Sequence, residues 1–168
     1  MIGPPWPAGG VLMLEDDVRL DADVEWWLEQ CVAADRPVMG YLAEGCRQNH
    51  PPHVLQEYEE RGCVTPGLYP IRHEHCAWGA QCVYLPAWFL AQLWADPRLH
   101  STEADGKAID ALLALVWGQL PSRKLPLVAI PNFCRHLGYD SVLKLTWRRN
   151  QGPRKASVSL THDWRACG

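Results

Sequence analysis

Short apolar runs closed by turn residues alternate along this chain with segments of helical period, and that alternation constrains the fold more than any other feature. Val11 to Leu14, between glycines and acids, reads as a buried strand. Val24, Trp27, Leu28, Cys31 and Val32 then share one helical face, with Asp21 or Asp23 as the cap and Pro37 marking the end. Val38 to Ala43 is a second strand, and residues 44–53 are a loop. Val54 to Arg61 form a helix closed by Gly62. Leu68 to Ile71 and Cys76 to Leu85 are extended, and Pro86 suits the first turn of a helix reaching about Trp94. Ile109, Leu112, Leu113, Val116 and Trp117 repeat the helical spacing, and Leu125 to Ile130 is a strand closed by Pro131. Strands alternating with helices predict an α/β class.

The chain's 168 residues suit one domain large enough to bury a core without staples. We read residues 1–143 as its body and 144–168 as a basic tail. A net charge of −3 argues against a general nucleic-acid coat. No apolar run reaches the ~18 residues of a membrane span, and the start lacks the basic and apolar regions of a signal peptide. Seven cysteines, an odd count without disulfide-framework spacing, read as reduced thiols in a cytoplasmic protein.

Candidate chemistry begins with Glu15, Asp16 and Asp17, directly after the first strand. Alternation along an extended backbone puts Glu15 and Asp17 on one face and Asp16 on the other. Converging carboxylates repel unless one protonates or a cation offsets them, and a hard divalent metal such as Mn²⁺ or Mg²⁺ is the usual partner. The carboxyl ends of strands are also where open α/β sheets bind ligands. The same triplet equally fits a solvated acidic turn before a helix. His136 follows another predicted strand end and could supply a nitrogen ligand, or simply bond backbone in a loop. Asp110 borders the apolar stripe near the start of its helix, where partial desolvation suits a general base and the helix dipole suits any acid. Gly79 lets a backbone approach a ligand beside the Trp78 platform, or marks a bulge beside a core Trp.

Together, in this order, these segments resemble the family 25 glycosyltransferases, the lipooligosaccharide and procollagen galactosyltransferase type. The resemblance is carried by Val11 to Val18 with its acids, Trp78 to Pro86, Ala108 to Leu113, and Ile130 to Ser141, covering about residues 11–143. It implies a GT-A-like fold, a mixed central sheet flanked by helices. It implies transfer of a sugar from a nucleotide-sugar to a hydroxyl acceptor, with inversion, aided by Mn²⁺ or Mg²⁺. The acceptor could be a glycan, a protein or a modified DNA base. By the resemblance Glu15 and Asp17 serve the metal and the donor's ribose-diphosphate, with Asp16 a nearby donor-binding alternative, and His136 is the late metal ligand. Asp110 is the base, and Trp78 and Gly79 line the acceptor side. Lys144, heading the basic tail, offers the donor diphosphate a further contact. In the family several strands and helices precede the acidic motif, whereas 14 residues precede Glu15 here. The expectation is therefore a partial domain: a partner chain or oligomer supplies the N-terminal half, or the start has been trimmed, or this is a compact or degenerate member.

Two other readings compete. Cys63, His73, His75, Cys76 and Cys82 are soft ligands close in sequence and could form a zinc-binding interaction module, although their spacing matches no standard framework. A non-catalytic, glycosyltransferase-like binding protein is the other.

Overall fold

A computed structural model describes residues 5–15, 18–41, 51–71, 81–100, 109–136 and 165–166, with the backbone alone described for 109–111, 136, 165 and 166. It is a mixed α/β structure. Strands β1 (Val11–Leu14), β3 (Val38–Met39), β5 (Gly67–Pro70), β6 (Cys82–Leu85) and β7 (Leu127–Ile130) form a five-stranded sheet in the order β1-β6-β3-β7-β5. β6 runs antiparallel to both β1 and β3, β3 is parallel to β7, and β5 is antiparallel to β7.

Side-chain alternation divides the core into two layers. On one face Met39, Val83, Leu85, Val128 and Ile130 pack with Phe89 and Leu93 of α3 (Ala87–Ala95) and with Leu113, Val116 and Trp117 of α4 (Ile109–Trp117). On the other, Val38, Cys82, Tyr84, Leu127 and Ala129 meet Trp27 and Cys31 of α1 (Val24–Ala34) together with Phe133 and Cys134. Val54 of α2 (Pro52–Arg61) joins the first layer, and Gly62 ends that helix with a left-handed φ of 67°. The inner strands β3, β6 and β7 are thus legible as apolar runs, because residues buried on both faces leave no polar alternation.

The start of α1 departs from expectation. Asp23 holds the N-cap position without capping backbone, and instead accepts a 3.2 Å hydrogen bond from Trp27 Nε1. Asp21 accepts from Arg135 Nε at 3.1 Å. Both acids therefore hold side chains, the exposed Arg135 and the buried Trp27, rather than free helix amides. At the far end of α1, Asp35 closes the helix with φ 48°, and the Arg36 guanidinium donates to the Leu125 carbonyl, Nε at 2.7 Å. Lys124 pairs with Asp35 at 2.8 Å and lies 4.7 Å over the Trp88 ring. This cluster ties together the chain before β3, the start of α3 and the chain before β7, all at the amino edge of the parallel pair.

Two features lie outside the expected pattern. Cys63, in β4 (Cys63–Val64), is disulfide-bonded, which corrects the reading of every cysteine as a reduced thiol; Cys31, Cys82 and Cys134 are free and buried. Within the basic tail, Arg165–Ala166 form β9 and pair in parallel with β4, so the end of that segment returns to the body. Among the described residues no helix is long and apolar enough to cross a membrane.

Candidate functional site

Because β1 and β3 both oppose β6, and β3 parallels β7, the carboxyl ends of β1, β3 and β7 share one edge. Glu15 stands there, exposed, its backbone N–H donating to the Gln81 carbonyl at 2.9 Å. Leu14 before it is 41% exposed although wholly apolar. Gly40 follows β3, donating to the Cys82 carbonyl at 2.8 Å and accepting from Phe133 N–H at 3.2 Å. Phe133 in turn accepts from Asp21 N–H at 2.9 Å.

These bonds lead into a second, smaller sheet. β2 (Val18–Leu20) pairs antiparallel with β8 (Cys134–His136), Val18 opposite His136 and Leu20 opposite Cys134. His136, placed by the sequence after a strand end, is the last residue of β8, and its backbone is a ladder partner of the residue that follows the acidic triplet. Opposed residues in such a ladder have Cα atoms ~4.5–5.5 Å apart. The register therefore joins chain segments more than a hundred positions apart at the carboxyl edge.

Asp110 is the second residue of α4. Phe89, near the start of α3 at the amino edge, lies 6.4 Å from Trp117 at the end of α4. Toward the other end of α3, Leu93 shares a small cavity with Leu112 and Val116. The two helices thus run antiparallel. At ~1.5 Å per residue the start of α4 lies roughly 10 Å from Trp117, toward the carboxyl edge. Asp16, Asp17, Trp78, Gly79 and Lys144 lie outside the described residues.

Beneath the edge sit three thiols. Burial pushes Cys31 up to about 12. The Cys82 thiol is raised well above the usual range, first by its hydrogen bond with Cys134 and then by burial. Cys134 Sγ contacts the Gly40 carbonyl at 3.6 Å. Such thiols stay protonated and act as small apolar groups. For the zinc reading this removes two of its five candidates from ready use: Cys63 is oxidised, and Cys82 is packed into the sheet. His73, His75 and Cys76 lie outside the described residues. Among the described residues no group of three or more His, Cys, Asp or Glu could hold a metal ion.

Sequence reasoning missed Gln81 and Asn132 at this edge. Asn132 is the buried polar residue among the described residues, 9% exposed. Gln81 precedes β6, half-buried, with its side-chain oxygen enclosed. The signal available was position alone: each adjoins the end of a strand that abuts the edge. No protein family, curated protein or solved structure matches the chain.

Proposed function

We propose that this protein is a metal-dependent glycosyltransferase of GT-A-like fold, moving a sugar from a nucleotide-sugar to a hydroxyl acceptor. The observation that carries the reading is the pairing of Val18 with His136. One peptide bond joins Val18 to Asp17, and this supports a place for the backbone of the acidic triplet close to that of His136, at the kind of edge where open α/β sheets bind ligands. Two carboxylates with one imidazole form a donor set that suits Mn²⁺, and Mg²⁺ when oxygen ligands dominate. The bound cation supplies positive charge that stabilises the departing diphosphate.

Glu15 and Asp17 orient the donor through that edge, and Asp16 offers the ribose a nearby acceptor. Asp110, on the helix covering the adjacent sheet face, takes the proton of the acceptor hydroxyl. Trp78 and Gly79 line the acceptor side, and Lys144 approaches the diphosphate. The reduced-thiol ground for a cytoplasmic location no longer holds, since Cys63 is oxidised and disulfides persist in oxidising compartments.

A thermal-shift screen of nucleotide-sugars, each with and without Mn²⁺, tests the proposal, because a ligand of the native state raises its melting point. We expect one class of nucleotide-sugar to raise it only with the metal. A rise with Zn²⁺ alone and none with any nucleotide-sugar would favour the zinc module instead. Ligand binding without any sugar hydrolysis or transfer would favour the non-catalytic binder.

A further inference from the structure

The outer strands of the five-stranded sheet end it differently. β5 carries Gly67 and Pro70, and a proline has no N–H to offer a further strand. β1 carries no such block. Val11, Leu12 and Met13 are apolar and half-buried, and Leu14 is 41% exposed. The hydrogen bonds of β1 fix which backbone groups face outward. Glu15 N–H donates to the Gln81 carbonyl, so by alternation Glu15, Met13 and Val11 turn their N–H and C=O groups toward β6. Leu12 and Leu14 turn theirs away from it. At the head of the strand Gly10, with φ 79°, donates its N–H to the Pro7 carbonyl at 2.8 Å, and that turn closes the outer edge there. Among the described residues no strand pairs with this side of β1. Outward amides on wholly apolar residues are a template for another strand.

We propose that the outer edge of β1 pairs antiparallel with β1 of a second copy of this chain, across a two-fold axis at Met13. An antiparallel register that uses the outward groups of both Leu12 and Leu14 in each chain must set Leu12 opposite the second copy's Leu14. Leu12 and Leu14 share one sheet face, so the exposed Leu14 gains an apolar neighbour, while Met13 meets Met13 on the other face. Charge fixes the direction. Antiparallel pairing sets Glu15 of each copy opposite Val11 of the other and leaves the acidic triplets at opposite ends of the ribbon. Parallel pairing would bring the triplets side by side, where like charges repel. A strand that matches itself in this way suits the isologous contact of a two-fold dimer. The proposal stands independently of the transferase reading.

Sedimentation equilibrium of the full chain from about 1 µM to about 1 mM, with amide hydrogen exchange at each concentration, tests this. We expect a monomer–dimer equilibrium, since strands of four residues make a small interface of the weak kind. The Leu12 and Leu14 amides should be protected only where dimer is populated, whereas the Met13 amide, bonded to β6, is protected throughout. Leu14→Pro deletes an outward donor on each copy and leaves the bonds to β6 in place. It should weaken the dimer about ten- to a hundredfold, the worth of one neutral hydrogen bond on each side of the axis. Leu14→Lys puts a charge on the edge, makes no demand on the backbone, and should weaken the dimer as well. Should Leu14→Pro fail to fold, Leu14→Lys decides. A chain that stays monomeric with both amides exchanging freely overturns the proposal. Protected Leu12 and Leu14 amides in a monomer assign the edge to another segment of the same chain and overturn the second copy. A dimer that Leu14→Lys leaves at full strength lies on another surface and overturns it too.

Discussion

Gly40→Ala is the substitution whose cost the structure fixes most closely. A Cβ built at Gly40 would stand 2.4 Å from Phe133 Cζ, 2.5 Å from Cε2 and 2.7 Å from Cys82 Sγ. Carbon atoms rest at ~3.5–4.0 Å, so the methyl falls a full ångström short of ordinary contact on two sides. Phe133 cannot retreat cheaply. It is fully buried, and its ring sits 5.7 Å from that of Trp27. Overpacking of this kind costs ~1–3 kcal/mol. Alanine recovers ~0.4–1 kcal/mol by restricting the unfolded chain. The net is about 1–2 kcal/mol, which for a chain of this length lowers Tm by roughly 3–6 °C. Differential scanning calorimetry of the variant reads that shift. Phe133→Leu removes the ring atoms that clash, so the double variant should be more stable than the sum of the single losses predicts. An unchanged or raised Tm in Gly40→Ala would refute the reasoning. So would strict additivity in the double variant, because it would mean that the methyl and the ring do not meet. The consequence reaches the site, since Phe133 N–H binds Gly40 and the same segment continues into β8.

Other outcomes follow from the same contacts. Reduction of the Cys63 disulfide, or Cys63→Ser, should cost about 2–5 kcal/mol, seen as a lower denaturation midpoint in urea. Asp110→Asn should leave nucleotide-sugar binding intact and cut turnover by roughly 10²–10⁴-fold, measured by transfer kinetics once an acceptor is found. Stability should fall at both ends of the pH range. Its hydrogen bonds with Arg98 hold Asp96 down to about 2, so its contribution is present above the ordinary carboxylate value and lost as pH falls toward 2. Burial holds Cys31 up to about 12, so its contribution is full below the ordinary thiol value and lost as pH rises from about 9 toward 12. Melting points across pH check both limbs, and Asp96→Asn should flatten the acid limb alone.

How much of this was readable beforehand depends on what each segment buries. β1, β7 and the helices α1, α3 and α4 declared themselves because their apolar residues face a core on a regular period. Val18 to Leu20 did alternate, but the acids before it and Asp21 after it argued for a capped helix start. Asp21 and Asp23 instead serve Arg135 and Trp27, partners that sequence spacing cannot reveal. β8 starts to alternate as well, Cys134 buried and Arg135 exposed, but a strand of three residues is too short for a period to show. The pairing of β4 with β9 depends on residues a hundred positions apart, and nothing local in Cys63–Val64 forecasts it. Candidate residues were found by chemistry and order, whereas Gln81 needed the ladder to set it beside Glu15.

The central claim is that the strand pairing of Val18 with His136 brings the acids and the histidine to one cation. Nuclear magnetic resonance of the imidazole protons during titration with substoichiometric Mn²⁺ tests it most directly, since the paramagnetic ion broadens signals only from nearby nuclei. The account predicts that His136 signals broaden first among the seven histidines. It predicts that Asp17→Asn abolishes the effect while the melting point holds. His136 signals that stay sharp, or that broaden equally in Asp17→Asn, would contradict it.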